Sequence, residues 1–145
     1  MKTVVFIGHN ECYSLSEEKL NDEIIKCIQK GAKEFLNGGQ GRFDRICAYM
    51  VRDLKSTYPH IKNNLVIPYL NFKVFDKDIF DEIIYPNNFE KLSFKAAIPQ
   101  RNKYMVNHAD TAICYIQHGW GNAINTFYYA QKKKLEIINL STYNG

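Results

Sequence analysis

Three glycine-containing turns carry the residue types that can hold a phosphate group. They occupy residues 8–10, 38–44 and 118–122, and the second and third turns each precede a helical pattern. Glycine allows the backbone to turn sharply and to approach a ligand without interference from a Cβ atom. The first N–H groups of a helix have no partner within the helix, and the aligned peptide dipoles leave partial positive charge there. Turns of this kind therefore predict an anion site, most naturally a phosphate site.

Polar and aromatic side chains in and near these turns are the candidate ligand-binding residues. His9 and Asn10 follow the first strand pattern, and Trp120 lies between two glycines of the third turn. Trp120 can cover a base or sugar, or it can close over the core. Asp44 can bind a ribose hydroxyl, as acidic residues do in dinucleotide sites, or cap the helix that it precedes. Arg101 can contact phosphate or remain a surface cation.

Fewer residues are candidates for catalysis or metal binding than for ligand binding. His9, His118 and Asp44 are the candidate acids and bases, although no catalytic set is assigned. His9, Cys12 and His118 converge if the strands before them are neighbours, but their spacing matches no zinc pattern. Cys114 lies within a strand pattern, where a small apolar role is expected. We therefore expect neither a metal ion nor a cofactor, and no Cys–His nucleophile pair.

Alternating strands and helices position the three turns. Continuous apolar and β-branched runs predict five strands, at residues 3–7, 32–36, 65–69, 111–117 and 136–140. Residues 14–17 fit a capping box before one helix, and Pro99 suits the first position of the helix that carries Arg101. Residues 71–98 are the least readable, and residues 82–85 fit either a strand or a turn of helix.

This alternation predicts one α/β domain with a Rossmann-like architecture. We expect a mostly parallel sheet of five or slightly more strands with helices on both faces. Ligands of such sheets bind outside the carboxyl ends of the strands, where the strand order reverses. All three glycine turns follow predicted strands, so we expect them to meet at one rim of the sheet.

Composition is typical of a globular protein. The chain has 145 residues, of which 46% are hydrophobic and 23% charged, which excludes disorder. Residues 4–7 are the longest apolar run near the start, too short for a signal peptide or a spanning helix. We expect a cytoplasmic protein with no membrane partner and with four free cysteines. The net charge of +4 permits a polyanionic partner without requiring one.

Four stretches together carry a resemblance to a known family: GHN after the first strand, FLNGGQGRFD, RNKYMV followed by AD, and HGWGNAINTFYYAQKKK. They resemble the SLOG superfamily of Rossmann-like proteins, which includes the LOG phosphoribohydrolases and the DNA-processing protein DprA. Within it, the pattern is similar to the small bacterial YpsA-like proteins. The resemblance spans nearly the whole chain and is weakest over residues 71–98. It implies a nucleotide or nucleotide-sugar ligand held between the glycine turns and the Arg-Asn helix.

The resemblance also implies roles for individual residues. Contact with ligand phosphate or sugar falls to Arg101 and Asn102. The resemblance implies that the phosphate seat is formed by Gly119, Gly121 and Asn122. It implies that the neighbouring wall of the site is formed by Gly38, Gly39, Gly41 and Asp44. Two departures matter. The Glu that LOG enzymes need to break the N-glycosidic bond is Asn125 in this chain, and the GHR pattern becomes GHN, which removes one cation. LOG-type hydrolysis is therefore not expected.

The leading expectation is a ligand-sensing module that binds an ADP-ribose-like or AMP-like nucleotide derivative. Gly8, His9 and Asn10 complete its predicted site. The alternative is a nucleotide-processing hydrolase or phosphoribosyl-type enzyme that uses Asp44, His118 or His9, so we leave enzyme activity open while leaning against it. A second alternative is single-stranded nucleic-acid binding. We do not expect a nucleic-acid partner, because the charges are scattered rather than arranged in a stripe. A homodimer is expected from the apparent relatives.

Overall fold

The computed structural model describes residues 2–143, and these residues form six strands and four helices, which alternate along the chain except that no α-helix separates the third strand from the fourth. The strands are β1 (Lys2–Gly8), β2 (Ala32–Asn37), β3 (Lys62–Val66), β4 (Glu82–Ile84), β5 (Thr111–Tyr115) and β6 (Glu136–Asn139). The helices are α1 (Glu17–Gln29), α2 (Arg42–Leu54), α3 (Phe94–Asn107) and α4 (Asn122–Lys132). Two short 3₁₀ turns, Lys77–Ile79 and Phe89–Lys91, flank β4.

The six strands form one parallel sheet in the order β4-β3-β2-β1-β5-β6. From β1 the chain moves outward to β4 and then returns to place β5 on the other side of β1. The strand order therefore reverses between β1 and β5, whose ends coincide because Gly8 lies opposite Tyr115. A crevice at such a point is where open α/β sheets bind ligands. The predicted α/β fold is confirmed.

Strand β1 contributes to the hydrophobic core on both faces of the sheet. Val4 and Phe6 pack in the cluster that α1 and α2 cover, whereas Val5 and Ile7 pack in the cluster under α3 and α4. Successive side chains of a strand point to opposite faces, so a strand covered on both sides needs an unbroken apolar run. This is why residues 3–7 were recognisable as a central strand.

Helix α3 begins earlier than predicted, so the placement of Pro99 at its first position was wrong. The helix starts at Phe94, and the Ser93 hydroxyl caps it by accepting a hydrogen bond from the Ala96 N–H at 3.3 Å. Pro99 lies inside the helix, where its missing N–H deprives the Lys95 carbonyl of its helical partner. Both residues are exposed, so water can supply that hydrogen bond.

Strand β3 begins three residues before the predicted strand, at Lys62 rather than at residue 65. Two asparagines caused this error, because their amides do not fit an apolar pattern although both are buried. The Asn63 side chain donates to the Ala48 and Ile79 carbonyls, each at 3.0 Å. A buried amide that satisfies distant backbone groups is invisible to a hydrophobicity pattern.

Two smaller predictions also change. Helix α1 is capped by Ser16, whose hydroxyl accepts from the Lys19 N–H at 3.2 Å, so the capping box at residues 14–17 was wrong by two positions. Residues 82–85, left open between strand and helix, contain β4 at the edge of the sheet. In the described part of the chain, no helix combines the length and apolarity needed to cross a membrane.

Candidate ligand-binding site

A cavity of about 400 Å³ lies outside the carboxyl ends of β1 and β5, between the starts of α2 and α4 and the middle of α3. Most of the predicted site residues line it, namely Gly8, His9, Asn10, Gly41, Asp44, Arg101, Asn102, His118, Trp120, Gly121 and Asn122. Gly38, Gly39 and Gly119 do not, and Asn125 lines a neighbouring groove instead. The strand-order reversal thus brings residues from all three glycine turns to one cavity. Their part in binding stays a prediction.

The N-terminus of α4 opens onto this cavity. Gly121 is the N-cap with φ at +96°, and within residues 2–143 no side chain caps the helix. Gly121, Asn122 and Ala123 all line the cavity. A positive φ of this size suits glycine, and an uncapped N-terminus leaves N–H groups available to an anion. The helix dipole adds partial positive charge at the same place.

The N-terminus of α2 has fewer N–H groups available to an anion than that of α4. Its N-cap is also a glycine with positive φ, Gly41, but the Asn10 side chain reaches across from the first turn. The Asn10 Oδ1 atom accepts a hydrogen bond from the Arg42 N–H at 2.9 Å. An amide oxygen of this kind takes the place that an anion would occupy. The better anion seat is therefore the start of α4.

Three aromatic rings stack at one side of the cavity. The ring centroids of His9 and His118 are 3.8 Å apart, and those of His118 and Trp120 are 3.7 Å apart. The rings are nearly parallel, with interplanar angles of 12° and 14°. His9 follows β1 and His118 follows β5, so the pairing of these strands brings the rings together. The stack runs from the buried His9 to Trp120, which is 69% exposed.

The two histidines keep unused hydrogen-bonding atoms. His9 is only 4% exposed, and its Nε2 atom has no hydrogen-bond partner among the residues that the structure describes. The same holds for the His118 Nδ1 atom. Burial, and then the neighbouring His118, lowers the pKa of His9, so its imidazole is neutral at pH 7. A buried polar atom of this kind usually has a hydrogen-bond partner, and among the described residues these two atoms have none.

Asp44 is a buried carboxyl on the cavity wall. Its Oδ2 atom accepts from the Gln40 N–H at 3.0 Å, and that N–H precedes the helix, so Asp44 does not cap α2. Burial raises the pKa of Asp44 to about 7, although the Gln40 N–H and the Arg101 guanidinium act in the opposite direction. At neutral pH the carboxyl is therefore present in both protonation states. It can accept a hydrogen bond from a ligand hydroxyl or donate one to a ligand oxygen.

Arg101 is buried, so the alternative of a surface cation was wrong. The side chain is 1% exposed, and four of its N–H groups donate hydrogen bonds within the protein, at 2.7 to 3.0 Å. The acceptors are the Gly38 and Val66 carbonyls, the Gln40 Oε1 atom and the Asn102 Oδ1 atom. These bonds fasten α3 to the loop after β2 and to the end of β3. Burial lowers the pKa of Arg101 to about 10, opposed by Asp44, so the guanidinium stays charged at pH 7. Whether it also contacts a ligand stays a prediction.

At two of the predicted glycines, close packing explains why the residue is glycine. A Cβ atom on Gly8 would overlap the Phe43 ring, which lies directly against the backbone at the end of β1. A Cβ atom on Gly39 would lie 2.6 Å from the Leu65 Cδ1 atom, and Gly39 has φ at +65°. Gly8 therefore lets α2 pack against the end of β1, and Gly39 lets the loop after β2 pack against Leu65 of β3.

Eight lining residues were missed by the sequence analysis, and they are Phe6, Ile7, Glu11, Gln40, Ile98, Met105, Ala123 and Thr126. Gln40 belongs to the second glycine turn and was recoverable from it. Ile98 was missed because α3 begins before the predicted start. Thr126 is buried on α4, where a lone threonine gives no sequence signal. In the part of the chain described here, no group of three or more His, Cys, Asp or Glu residues is arranged to hold a metal ion.

A second cavity, the α3–α4 groove, adjoins the first and has a volume of about 320 Å³. It is lined by residues of the two helices, which are Phe94, Lys95, Ile98, Pro99, Asn102, Lys103, Asn122, Asn125, Thr126 and Tyr129. Ile98, Asn102, Asn122 and Thr126 line both cavities. The two spaces therefore adjoin each other at the start of α4.

Comparison with known proteins identifies the family. The family model described as "YspA SLOG family" matches residues 3–142, so the chain belongs to that YpsA family of SLOG proteins. The chain is also similar to the uncharacterized SPbeta prophage-derived protein YoqJ of Bacillus subtilis (strain 168). That similarity is 25% identity and covers 81% of this chain and 83% of YoqJ. The predicted resemblance to the YpsA-like branch is confirmed.

Two solved structures share the fold. DNA processing protein A from Helicobacter pylori matches with a TM-score of 0.65 and 15% identity, covering 95% of this chain and 64% of that one. DprA from Streptococcus pneumoniae matches with a TM-score of 0.63 and 14% identity, covering 96% of this chain and 50% of that one. The chain therefore spans less than two thirds of either DprA chain, and at these identities the likeness shows the fold alone.

The comparison corrects one expectation. The Helicobacter pylori structure is described by its single-stranded DNA binding mode. A protein with this fold thus binds single-stranded DNA, and our expectation against a nucleic-acid partner was wrong. Scattered charge was an insufficient reason, because base stacking on aromatic rings also contributes to binding of single strands.

Proposed function

We propose that this member of the YpsA family binds a nucleotide-derived ligand in the cavity between β1 and β5, with a phosphate group on the N-terminus of α4. The observation that carries the proposal is the uncapped start of α4, which opens onto the same cavity as the buried His9 with its unpartnered Nε2 atom. The free N–H groups suit phosphate oxygens. The neutral His9 ring can donate to a further oxygen of the ligand.

The surroundings of this seat suit the rest of a nucleotide. The carboxyl of Asp44 lies on the same cavity wall and can accept a hydrogen bond from a ribose hydroxyl. Trp120 presents an exposed indole ring immediately before the phosphate seat, where a base can stack on it. A cavity of about 400 Å³ is within the usual size range of small-molecule sites.

Binding without hydrolysis is the mode that we infer. Asn125, at the position of the Glu that LOG enzymes use, carries a neutral amide and lines the α3–α4 groove instead of the main cavity. An amide can neither take up a proton from water nor stabilise an oxocarbenium-like transition state as a carboxylate does. A sensing role, a homodimer and a cytoplasmic location stay predictions.

The test is a melting-temperature screen with AMP, ADP-ribose, cyclic AMP and inorganic phosphate, followed by mass spectrometry of each mixture. A ligand at one hundred times its dissociation constant adds about 2.7 kcal/mol of stability. For a domain of this size, that raises the melting temperature by several degrees. We expect a nucleotide to be recovered intact after binding. Products would show an enzyme, and no shift with any compound would refute the proposal.

Single-stranded nucleic acid is a second candidate, favoured by one specific observation. The ring stack ends at Trp120, whose outer face is open to solvent, and successive bases of a strand stack on such rings. DprA of Helicobacter pylori, which shares this fold, binds single-stranded DNA. Fluorescence anisotropy with a labelled oligothymidylate at two salt concentrations tests this candidate. Binding that weakens with salt and is lost in Trp120→Ala would support it, whereas no binding at low salt would exclude it.

A further inference from the structure

The α3–α4 groove has no role in the function proposed so far. It adjoins the main cavity at Asn122, the first residue of α4, which lines both spaces. A phosphate on the N-terminus of α4 would therefore lie at the junction of the two cavities. A group attached to the far side of that phosphate would point into the groove.

The chemistry of the groove differs from that of the main cavity. Four of its ten lining residues are aromatic or apolar, namely Phe94, Tyr129, Ile98 and Pro99. Phe94 is 73% exposed, although it is one of the largest apolar side chains of the protein. The ring packs on Tyr69, with ring centroids 4.9 Å apart. A large exposed ring at the mouth of a groove suits a flat, ring-bearing ligand group.

The groove also carries positive charge. Lys95 and Lys103 line it, and among the described residues its lining contains no carboxylate. The Lys103 ammonium lies 5.4 Å from the centroid of the Tyr129 ring, so the charge and the aromatic surface are adjacent. This combination favours a group that is flat and is linked to the main cavity through negatively charged phosphates.

We propose that the α3–α4 groove takes a second nucleoside, so that the ligand class of this site is two nucleosides joined through phosphate. The first nucleotide occupies the main cavity, the bridging phosphate lies at the start of α4, and the second base packs against Phe94 and Tyr129. This proposal rests on the proposed function, because it needs the phosphate at that position. A free dinucleotide and two successive nucleotides of a strand share this chemistry.

The test compares AMP, ADP-ribose and diadenosine diphosphate by isothermal titration calorimetry. The last two compounds differ by one adenine, so their affinity ratio measures what the second base contributes. Stacking of a base on an aromatic side chain corresponds to about tenfold in affinity or more. We expect diadenosine diphosphate to bind about tenfold more tightly than ADP-ribose. A short oligodeoxyadenylate in the same assay separates a strand from a free dinucleotide.

Variants locate the second base. Phe94→Ala should reduce the affinity for diadenosine diphosphate to that for ADP-ribose and leave AMP binding unchanged. Leu70→Ala is the matched control, because Leu70 is 74% exposed and lines neither cavity. Melting curves of both variants check that they fold, which the exposure of both side chains favours.

The outcomes separate the two proposals. If AMP binds and the second adenine adds nothing, the groove proposal is wrong while the proposed function stands. If the second adenine strengthens binding equally in wild type and Phe94→Ala, the second base binds elsewhere and the groove proposal is again wrong. If none of the compounds binds, both proposals fail.

Discussion

The carboxyl of Asp44 gives the most quantitative prediction. Its pKa is about 7 in the folded protein, against an ordinary value of 3.8, and burial is the main cause. The folded state therefore holds this proton up to about pH 7, whereas the unfolded chain releases it near pH 4. Because the folded state binds the proton more tightly, the stability from this group is fully present at low pH. It is lost as the pH rises from about 4 to about 7.

The magnitude follows from the pKa difference. Each pKa unit corresponds to about 1.4 kcal/mol of unfolding free energy. Above pH 5, most of the decrease in unfolding free energy occurs before pH 7. Between pH 5 and pH 8, Asp44 should thus lower the free energy of unfolding by about 3 kcal/mol. For a domain of this size that is roughly 10 °C in melting temperature.

The perturbation is Asp44→Asn, which keeps an oxygen that can accept from the Gln40 N–H but has no titrating proton. Urea unfolding of wild type and variant at pH 5, 6, 7 and 8 measures the effect. We expect the wild type to lose about 3 kcal/mol relative to the variant over this range. Asp22→Asn, at an exposed position on α1, controls for the loss of one negative charge. Parallel pH profiles for wild type and Asp44→Asn would refute the assignment of a strongly raised pKa.

Three further predictions concern the scaffold of the site. Arg101→Lys should lower the free energy of unfolding by about 3 kcal/mol in urea titrations, because an ammonium cannot replace the forked hydrogen bonds to the distant carbonyls. An unchanged urea midpoint would show that these hydrogen bonds are not needed for stability. Gly8→Ala should destabilise by about 2 kcal/mol or more through overlap with the Phe43 ring, detected as a lower melting temperature, and wild-type stability would contradict that contact. Pro99→Ala should leave stability the same or raise it by about 1 kcal/mol, since it restores a helical donor to the Lys95 carbonyl on an exposed face, whereas a marked loss would indicate that the proline is needed to shape α3.

Much of the fold was predictable because its elements carry strong local patterns. The unbroken apolar run of β1 marked a strand buried on both faces, and the alternation of strand and helix patterns marked a parallel sheet covered by helices. The glycine turns lay at strand ends, so the reversal of strand order was enough to bring most of them to one cavity. Local sequence thus located the rim of the sheet and many of the residues that line it.

The rest of the site depends on contacts between residues far apart in the chain. Arg101 is buried against the carbonyl groups of Gly38 and Val66, which lie 63 and 35 positions away in the chain. No local sequence pattern therefore distinguishes it from a surface arginine. Asn63 fills a strand position with an amide for the same reason. The stacking of His9, His118 and Trp120 required the pairing of β1 with β5, and the groove beside Phe94 required the correct start of α3.

The central claim is that an anion binds at the N-terminus of α4, and Asn122→Asp tests it most directly. A carboxylate at the first position of the helix interacts favourably with the helix dipole, worth about 0.3–1 kcal/mol, so folding should be stabilised or unaffected. The same negative charge should repel a phosphate group at that position. Asn87→Asp introduces the same charge at an exposed residue outside both cavities.

The measurement is a calorimetric titration of AMP into wild type, Asn122→Asp and Asn87→Asp, with melting curves of each protein. We predict that Asn122→Asp binds AMP at least about tenfold more weakly than wild type, a difference of about 1.4 kcal/mol, at an equal or higher melting temperature. Asn87→Asp should bind as wild type does. Equal affinity in all three proteins, with AMP bound, would contradict a phosphate seat at the start of α4.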